Sequence, residues 1–204
     1  MDSHDVRQQW ADRSGEYSPA YYAYYGPDER SAAVLRVLDR FVDRDASVLE
    51  LGCSSGRHLA HLRENGFGDL SGIELNAEAI DVMTESYPDL ADEGHFYIDA
   101  IEDVLPEFAD DAVDVSFSVE TLQHVHPDAE WVFAEIARTT GDLVVTVENE
   151  GDGEEPPAKT EVNHVREGLP LYYRDWRAVF TDLGFEQVAV EVGDRDTLRA
   201  FRAV

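Results

Sequence analysis

The chain has 204 residues, 43% of them hydrophobic, one cysteine and a formal net charge of -28. That is apolar material enough for one globular domain, leaves no intramolecular disulfide, and repels a polyanion such as DNA or RNA on average. Lys159 is the only lysine and acidic residues are spread along the whole length, so the charge reads as a solvated, halophilic-type acidic surface whose self-repulsion salt relieves. No Cys/His cluster has zinc-ligand spacing, and neither a signal peptide nor an apolar run of membrane length is apparent. The expectation is a single-domain cytoplasmic protein, 1–204, with no metal, membrane or nucleic-acid partner.

Residues 1–27 are polar and carry an aromatic cluster of Trp10, Tyr17, Tyr21, Tyr22, Tyr24 and Tyr25. Tyr21 and Tyr25 are four apart and share a helical face. The segment reads either as rings packed over the core, 28–204, or as a lid offering those rings and hydroxyls to a substrate. Gly26-Pro27 precedes a predicted helix over 28–42, with Val34, Leu38 and Phe41 on one stripe.

The rest of the chain is organised around the stretch 48–58, VLELGCSSGRH. Val48, Leu49 and Leu51 form a buried strand, Gly52 and Gly56 bound a tight turn, and Leu59, Ala60 and Leu62 continue at helical spacing. Glycine lets the backbone turn sharply and lets a ligand approach without a Cβ in the way. The helix N-terminus beyond it favours negative charge. A dinucleotide fingerprint needs G-x-G-x-x-G, which is absent. Glu50, at the lip of the turn, would repel a pyrophosphate and attract an ammonium. The pattern E-x-G-x-x-x-G therefore suits S-adenosylmethionine.

On ELGCSSG the chain resembles the class I S-adenosylmethionine-dependent methyltransferases, in particular their small-molecule branch of the ubiquinone/menaquinone-biosynthesis type. Ser54 stands where the family motif D/E-x-G-x-G-x-G has its middle glycine. The resemblance implies an α/β, Rossmann-like fold with a seven-stranded sheet. That sheet is mostly parallel with an antiparallel C-terminal hairpin strand, and helices cover both faces. It further implies that Glu50, Gly52, Ser54 and Gly56 hold the cofactor.

A second strand, 70–75, ends in Glu74 and Leu75. Glu74 lies 22 residues beyond Gly52, where a carboxylate reaches ribose hydroxyls; the alternative is a solvated strand-end acid. Asn76 caps a predicted helix to Tyr87, which Pro88 ends. After a third strand, 96–98, the family resemblance places adenine against Asp99, Ala100 and Ile101. The strand 113–119 leads into Glu120, Thr121, Leu122, Gln123, His124, Val125 and His126, close to the family's fourth motif, S-x-E-x-L-x-H-V. Ser118 is placed with the cofactor on this basis, and Glu120 with the cofactor or a cationic acceptor. His124 is the candidate general base, against a purely structural role in orienting its loop. Next along the chain are a helix from Pro127 to Arg138, with Trp131 and Ile136 on the sheet, and a strand over 142–147.

The acidic stretch 148–170 breaks the periodicity and reads as a solvated loop or a lid. His164 and Tyr172 join Tyr21 and Tyr25 as candidate acceptor contacts. A predicted helix over 172–183, with Trp176, Val179, Phe180 and Leu183 buried, precedes strands 185–192 and 197–204. Their short connection requires antiparallel pairing. The function read from this is methyl transfer from S-adenosylmethionine to a small molecule, yielding S-adenosylhomocysteine. The alternatives are a non-catalytic cofactor-binding partner subunit and a protein methyltransferase; a nicotinamide-dependent reductase is the weakest. The sequence leaves the acceptor and the oligomeric state open.

Overall fold

The computed structural model describes residues 2–15, 18–151, 160–166 and 169–204. Two N-terminal helices, α1 (Ser3–Ala11) and α2 (Pro19–Tyr25), precede α3 (Glu29–Phe41). Alternation then begins: β1 (Val48–Leu51), α4 (Arg57–Glu64), β2 (Leu70–Glu74), α5 (Glu78–Ser86), α6 (Pro88–Glu93), β3 (His95–Ile98) and α7 (Ile101–Val104). Next come β4 (Val113–Val119), α8 (Val132–Thr139) and β5 (Thr140–Glu148). A separate hairpin, β6 (Glu161–Arg166) and β7 (Leu169–Tyr173), precedes α9 (Trp176–Asp182), β8 (Phe185–Val192) and β9 (Thr197–Ala203).

The main sheet has the order β3-β2-β1-β4-β5-β9-β8, with β9 antiparallel to both neighbours and the other pairs parallel. The anticipated seven-stranded sheet with a reversed C-terminal strand is the one observed. Strand side chains alternate between faces, and the two cores show it. Val48, Val115, Phe117, Leu143 and Val145 pack with Leu38, Leu59 and Leu62 of α3 and α4. Leu49, Leu51 and Val144 pack on the opposite face with Ile136, Trp176 and Phe180 of α8 and α9. Strand order reverses between β1 and β4, which opens a crevice at their carboxyl ends, where open α/β sheets take ligands.

Four local expectations change. Pro88 does not simply end a helix; it opens α6 as an N-terminal proline, whose missing N–H costs nothing there. Asp175 caps α9, so that helix starts at Trp176 and leaves Tyr172 and Tyr173 in β7. Leu183 lies beyond its last turn and is 36% exposed. Pro127 begins only a 3-10 turn to Ala129, and α8 starts at Val132; the shifted phase turns Trp131 outward, 50% exposed, instead of onto the sheet. Finally, 161–166 is a strand paired with β7, not loop. Residues 152–159 of the expected loop, and Tyr17 of the aromatic cluster, lie outside the described residues. Among the described residues no helix is long and apolar enough to cross a membrane.

Candidate cofactor and acceptor site

The turn after β1 is tied to β2 by its own backbone, since the N–H groups of Gly52 and Cys53 both donate to the Ile73 carbonyl, at 2.9 and 3.0 Å. Its conformation is left-handed at Gly52 (φ 76°), Ser54 (φ 48°) and Gly56 (φ 79°), which only glycine adopts without cost. A Cβ on Gly52 would overlap the Thr121 side chain. Gly56 has a packing constraint of its own. It starts α4 and packs beneath the turn, where a Cβ would come within 2.9 Å of Leu90 and Met83.

A cavity of about 410 Å³ opens over this turn, within the range of small-molecule sites. Gly52, Ser54, Glu74, Leu75, Asp99, Ala100, Ile101, Glu120, His124, Tyr21 and Tyr25 all line it. Glu50, Gly56, Ser118, His164 and Tyr172 do not. Glu50 is buried within the central strand β1, not at the lip. Burial pushes its carboxyl well above the ordinary range while Arg57 pulls it down. Ser118 spends its hydroxyl on Glu148, 2.5 Å away. His164 is exposed on β6. Tyr172 is buried beside the Arg174 guanidinium and the His126 ring. The hairpin thus stands beside the turn after β4, where it cannot present those two side chains to the cavity.

Glu74 holds the crevice together. Its Oε2 accepts from the Ser54 N–H and its Oε1 from the Asn76 N–H, each at 2.8 Å. Burial raises this carboxyl, and those amides together with Arg13 oppose the rise. At the rim, Asp99 Oδ1 accepts from the Ala100 N–H at 2.8 Å. Glu120 occupies a left-handed position (φ 52°), a strained backbone of the sort held at functional sites. Arg195 pairs with it at 2.9 Å and Arg30 at 3.6 Å; burial raises its carboxyl, aided by Asp196 and opposed by both arginines.

His124 has both ring nitrogens engaged. Nδ1 lies 2.9 Å from the Pro170 carbonyl and Nε2 lies 3.4 Å from Gln123 Nε2. Burial lowers its pKa to about 4, with the Pro170 carbonyl pulling the other way. A neutral ring so held is a weak proton acceptor. His126 uses its Nδ1 to accept from the Asp128 N–H at 3.2 Å.

The N-terminal helices supply the outer wall. Trp10 packs against His124 with ring centroids 4.3 Å apart and planes tilted by 47°, and the Arg13 guanidinium lies 4.6 Å from the Trp10 ring. Tyr21 and Tyr25 are in ring contact at 4.9 Å. Arg7, on the same wall, pairs with Asp103 at 2.8 Å. Sequence reasoning missed the cavity arginines Arg7, Arg13, Arg30, Arg57 and Arg195. Their scarcity was the available signal, because a chain with so few cations has placed several around one crevice.

Around the glycine turn, Glu50 Oε2, Ser54 Oγ, Ser55 Oγ and Asn76 Nδ2 are buried and have no hydrogen-bond partner among the described residues. Orphaned buried polar groups call for a ligand or water. Glu74 and the backbone amides of the turn would take a ribose and an amino-acid end, so the groups gathered here fit S-adenosylmethionine. Among the described residues no three His, Cys, Asp or Glu side chains group as a metal site.

The sheet order and its reversed strand β9 make this a Rossmann-like methyltransferase fold. Residues 49–142 match the family described as "Methyltransferase domain". Over 84 residues it is 37% identical to a Streptomyces fradiae dTDP-3-amino-3,6-dideoxy-alpha-D-glucopyranose N,N-dimethyltransferase, a match covering 39% of this chain. The chain spans about a third (32%) of that relative's length. Its fold is similar to Burkholderia thailandensis 1,6-didemethyltoxoflavin-N1-methyltransferase with bound 1,6-didemethyltoxoflavin and S-adenosylhomocysteine. There the TM-score is 0.67 at 17% identity, over 99% of this chain and 84% of that one. It is similar also to a chain from the complex containing the Haloferax volcanii Trm112 methyltransferase activator, with TM-score 0.69, 20% identity, and 99% and 97% coverage.

Proposed function

We propose that this chain transfers a methyl group from S-adenosylmethionine to a small-molecule acceptor. The observation that carries the reading is Glu74, a carboxylate fixed by the Ser54 amide at the open end of β2, beside a glycine turn on one cavity. The bound cofactor supplies an electrophilic sulfonium methyl, which an acceptor lone pair displaces in line to leave S-adenosylhomocysteine. Glu74 binds the ribose hydroxyls, Asp99 the adenine amino group, and the Gly52–Ser54 turn the methionine end. Glu50, beneath that turn, is a buried carboxyl that a cationic ligand above it would draw toward its charged form. Trp10, Tyr21 and Tyr25 cover the acceptor and exclude water, and residues 1–27 act as the cover of a single catalytic domain. Alignment of the two partners can supply roughly 7–11 kcal/mol of barrier reduction. His124 positions the acceptor wall and does not act as the base, so the acceptor brings a nucleophile that needs no strong base.

The small-molecule assignment is supported by the amino-sugar and toxoflavin-precursor relatives. A second reading, dependence on a partner protein, is favoured by the full-length similarity to a chain complexed with a methyltransferase activator. To test the proposal, the protein is incubated in high salt with S-adenosylmethionine and a panel of amines, phenols and N-heterocycles, and S-adenosylhomocysteine is quantified by mass spectrometry. Acceptor-dependent product formation is expected. Tight cofactor binding with no turnover on any acceptor would favour the binding-subunit alternative.

A further inference from the structure

Behind the wall that carries His124 lies a carboxylate out of reach of any ligand. Glu148, the last residue of β5, is fully buried. Its Oε1 accepts from the Ser118 hydroxyl at 2.5 Å and from the N–H groups of Thr121 and Leu122 at 3.3 and 3.1 Å. Its Oε2 accepts from the Gln123 N–H at 3.2 Å. Successive backbone amides converging on one anion form a nest, here filled by a side chain of the neighbouring strand. The circuit then closes, because the Asn149 N–H donates to Gln123 Oε1 at 2.8 Å and Gln123 Nε2 reaches His124 Nε2. The Pro170 carbonyl facing Nδ1 has no proton to give, so Nδ1 carries the proton and Nε2 is the acceptor.

We propose that Glu148 is a positioning residue that fixes the 121–124 turn and through it holds His124 in the Nδ1–H tautomer and Thr121 against Gly52. An isolated buried carboxylate is costly, and burial raises this one while the Ser118 hydroxyl and the three amides oppose the rise. An apolar replacement would instead leave those donors unpaired. Glutamine keeps the volume, yet its amino group faces at least one N–H, donor against donor. The circuit does not depend on the proposed activity; only its consequence for the acceptor wall rests on that reading.

The test combines long-range imidazole 1H–15N spectra with calorimetric titration of S-adenosylhomocysteine, on wild type, Glu148→Gln and Ser118→Ala. The His124 signal is assigned by its loss in His124→Asn. Wild type is expected to show only the Nδ1–H pattern, and Ser118→Ala to keep it because the three amides remain. Glu148→Gln is expected to lose that pattern and to bind about tenfold more weakly through the Thr121–Gly52 contact, the share of one hydrogen bond. A lower melting temperature with tautomer and affinity unchanged would mean a merely stabilising role and overturn the proposal. Should Glu148→Gln not fold, Glu148→Asp withdraws the carboxylate from the nest by one methylene, and an unchanged His124 pattern with unchanged affinity in that variant likewise overturns the proposal. Failure of wild type to bind S-adenosylhomocysteine would count against the proposed function alone, since the tautomer comparison still decides the role of Glu148.

Discussion

Replacing Gly52 with alanine tests the turn at its tightest point, because two independent costs meet there. The φ of 76° is left-handed, which costs an L-residue about 1–2 kcal/mol. The new Cβ also overlaps Thr121, whose hydroxyl is held by the Val119 carbonyl at 3.2 Å, and such overpacking costs about 1–3 kcal/mol. Together they give about 2–5 kcal/mol, and for a domain of this size each kcal/mol moves Tm by about 2–4 °C. Gly52→Ala should therefore melt about 4–20 °C below wild type in a circular-dichroism scan. Adding Thr121→Ala removes the overlapping Oγ1 and Cγ2, so the double variant should regain part of the steric share and none of the backbone share. The cycle isolates that coupling. Melting of Gly52→Ala within about 2 °C of wild type, less than a single kcal/mol implies, or simple additivity with Thr121→Ala, would refute the reasoning.

Protonation of His124 carries a second expectation. Its folded pKa of about 4 lies below the unfolded value near 6.5, so between these the unfolded chain binds the extra proton. The stability it contributes is complete above pH 6.5 and is lost as pH falls through 4. The stability difference between wild type and His124→Asn should shrink by about 3 kcal/mol over that window and stay flat at higher pH; urea melts at several pH values measure it, and an unchanged difference contradicts the assignment. With a net charge of -28, the fold should also gain stability with salt as the Debye length drops from about 10 Å at 0.1 M to 3 Å at 1 M. A Tm that does not rise between those concentrations would argue that the acidic surface imposes no net repulsion.

The parts of this molecule that the sequence disclosed are those set by local chemistry. Val48–Leu51 is a short, mostly apolar stretch and Val113–Val119 alternates apolar with polar residues, both strand patterns, and the glycines at 52 and 56 mark a turn no other residue makes cheaply. The β8–β9 hairpin was legible from its short connection. What escaped notice depends on distant partners. The strand 161–166, EVNHVR, is polar and without apolar alternation; its pairing comes from β7. Arg195 reaches the cavity from the tip of the last hairpin to pair with Glu120, a contact no spacing rule anticipates. The displacement of Glu50, Gly56 and Ser118 from the cavity has the same origin. Their motif fixes the backbone, while the neighbouring strands and helices decide which side chains stay covered.

The central claim is that the crevice holds an adenosyl amino acid through Glu74. Calorimetric titration of S-adenosylhomocysteine into wild type and Glu74→Ala in high salt tests it directly. Wild type should bind, and the variant, losing two hydrogen bonds to a charged group, should bind about 100-fold more weakly. Equal affinities, or heat from NADH and none from S-adenosylhomocysteine, would contradict the account.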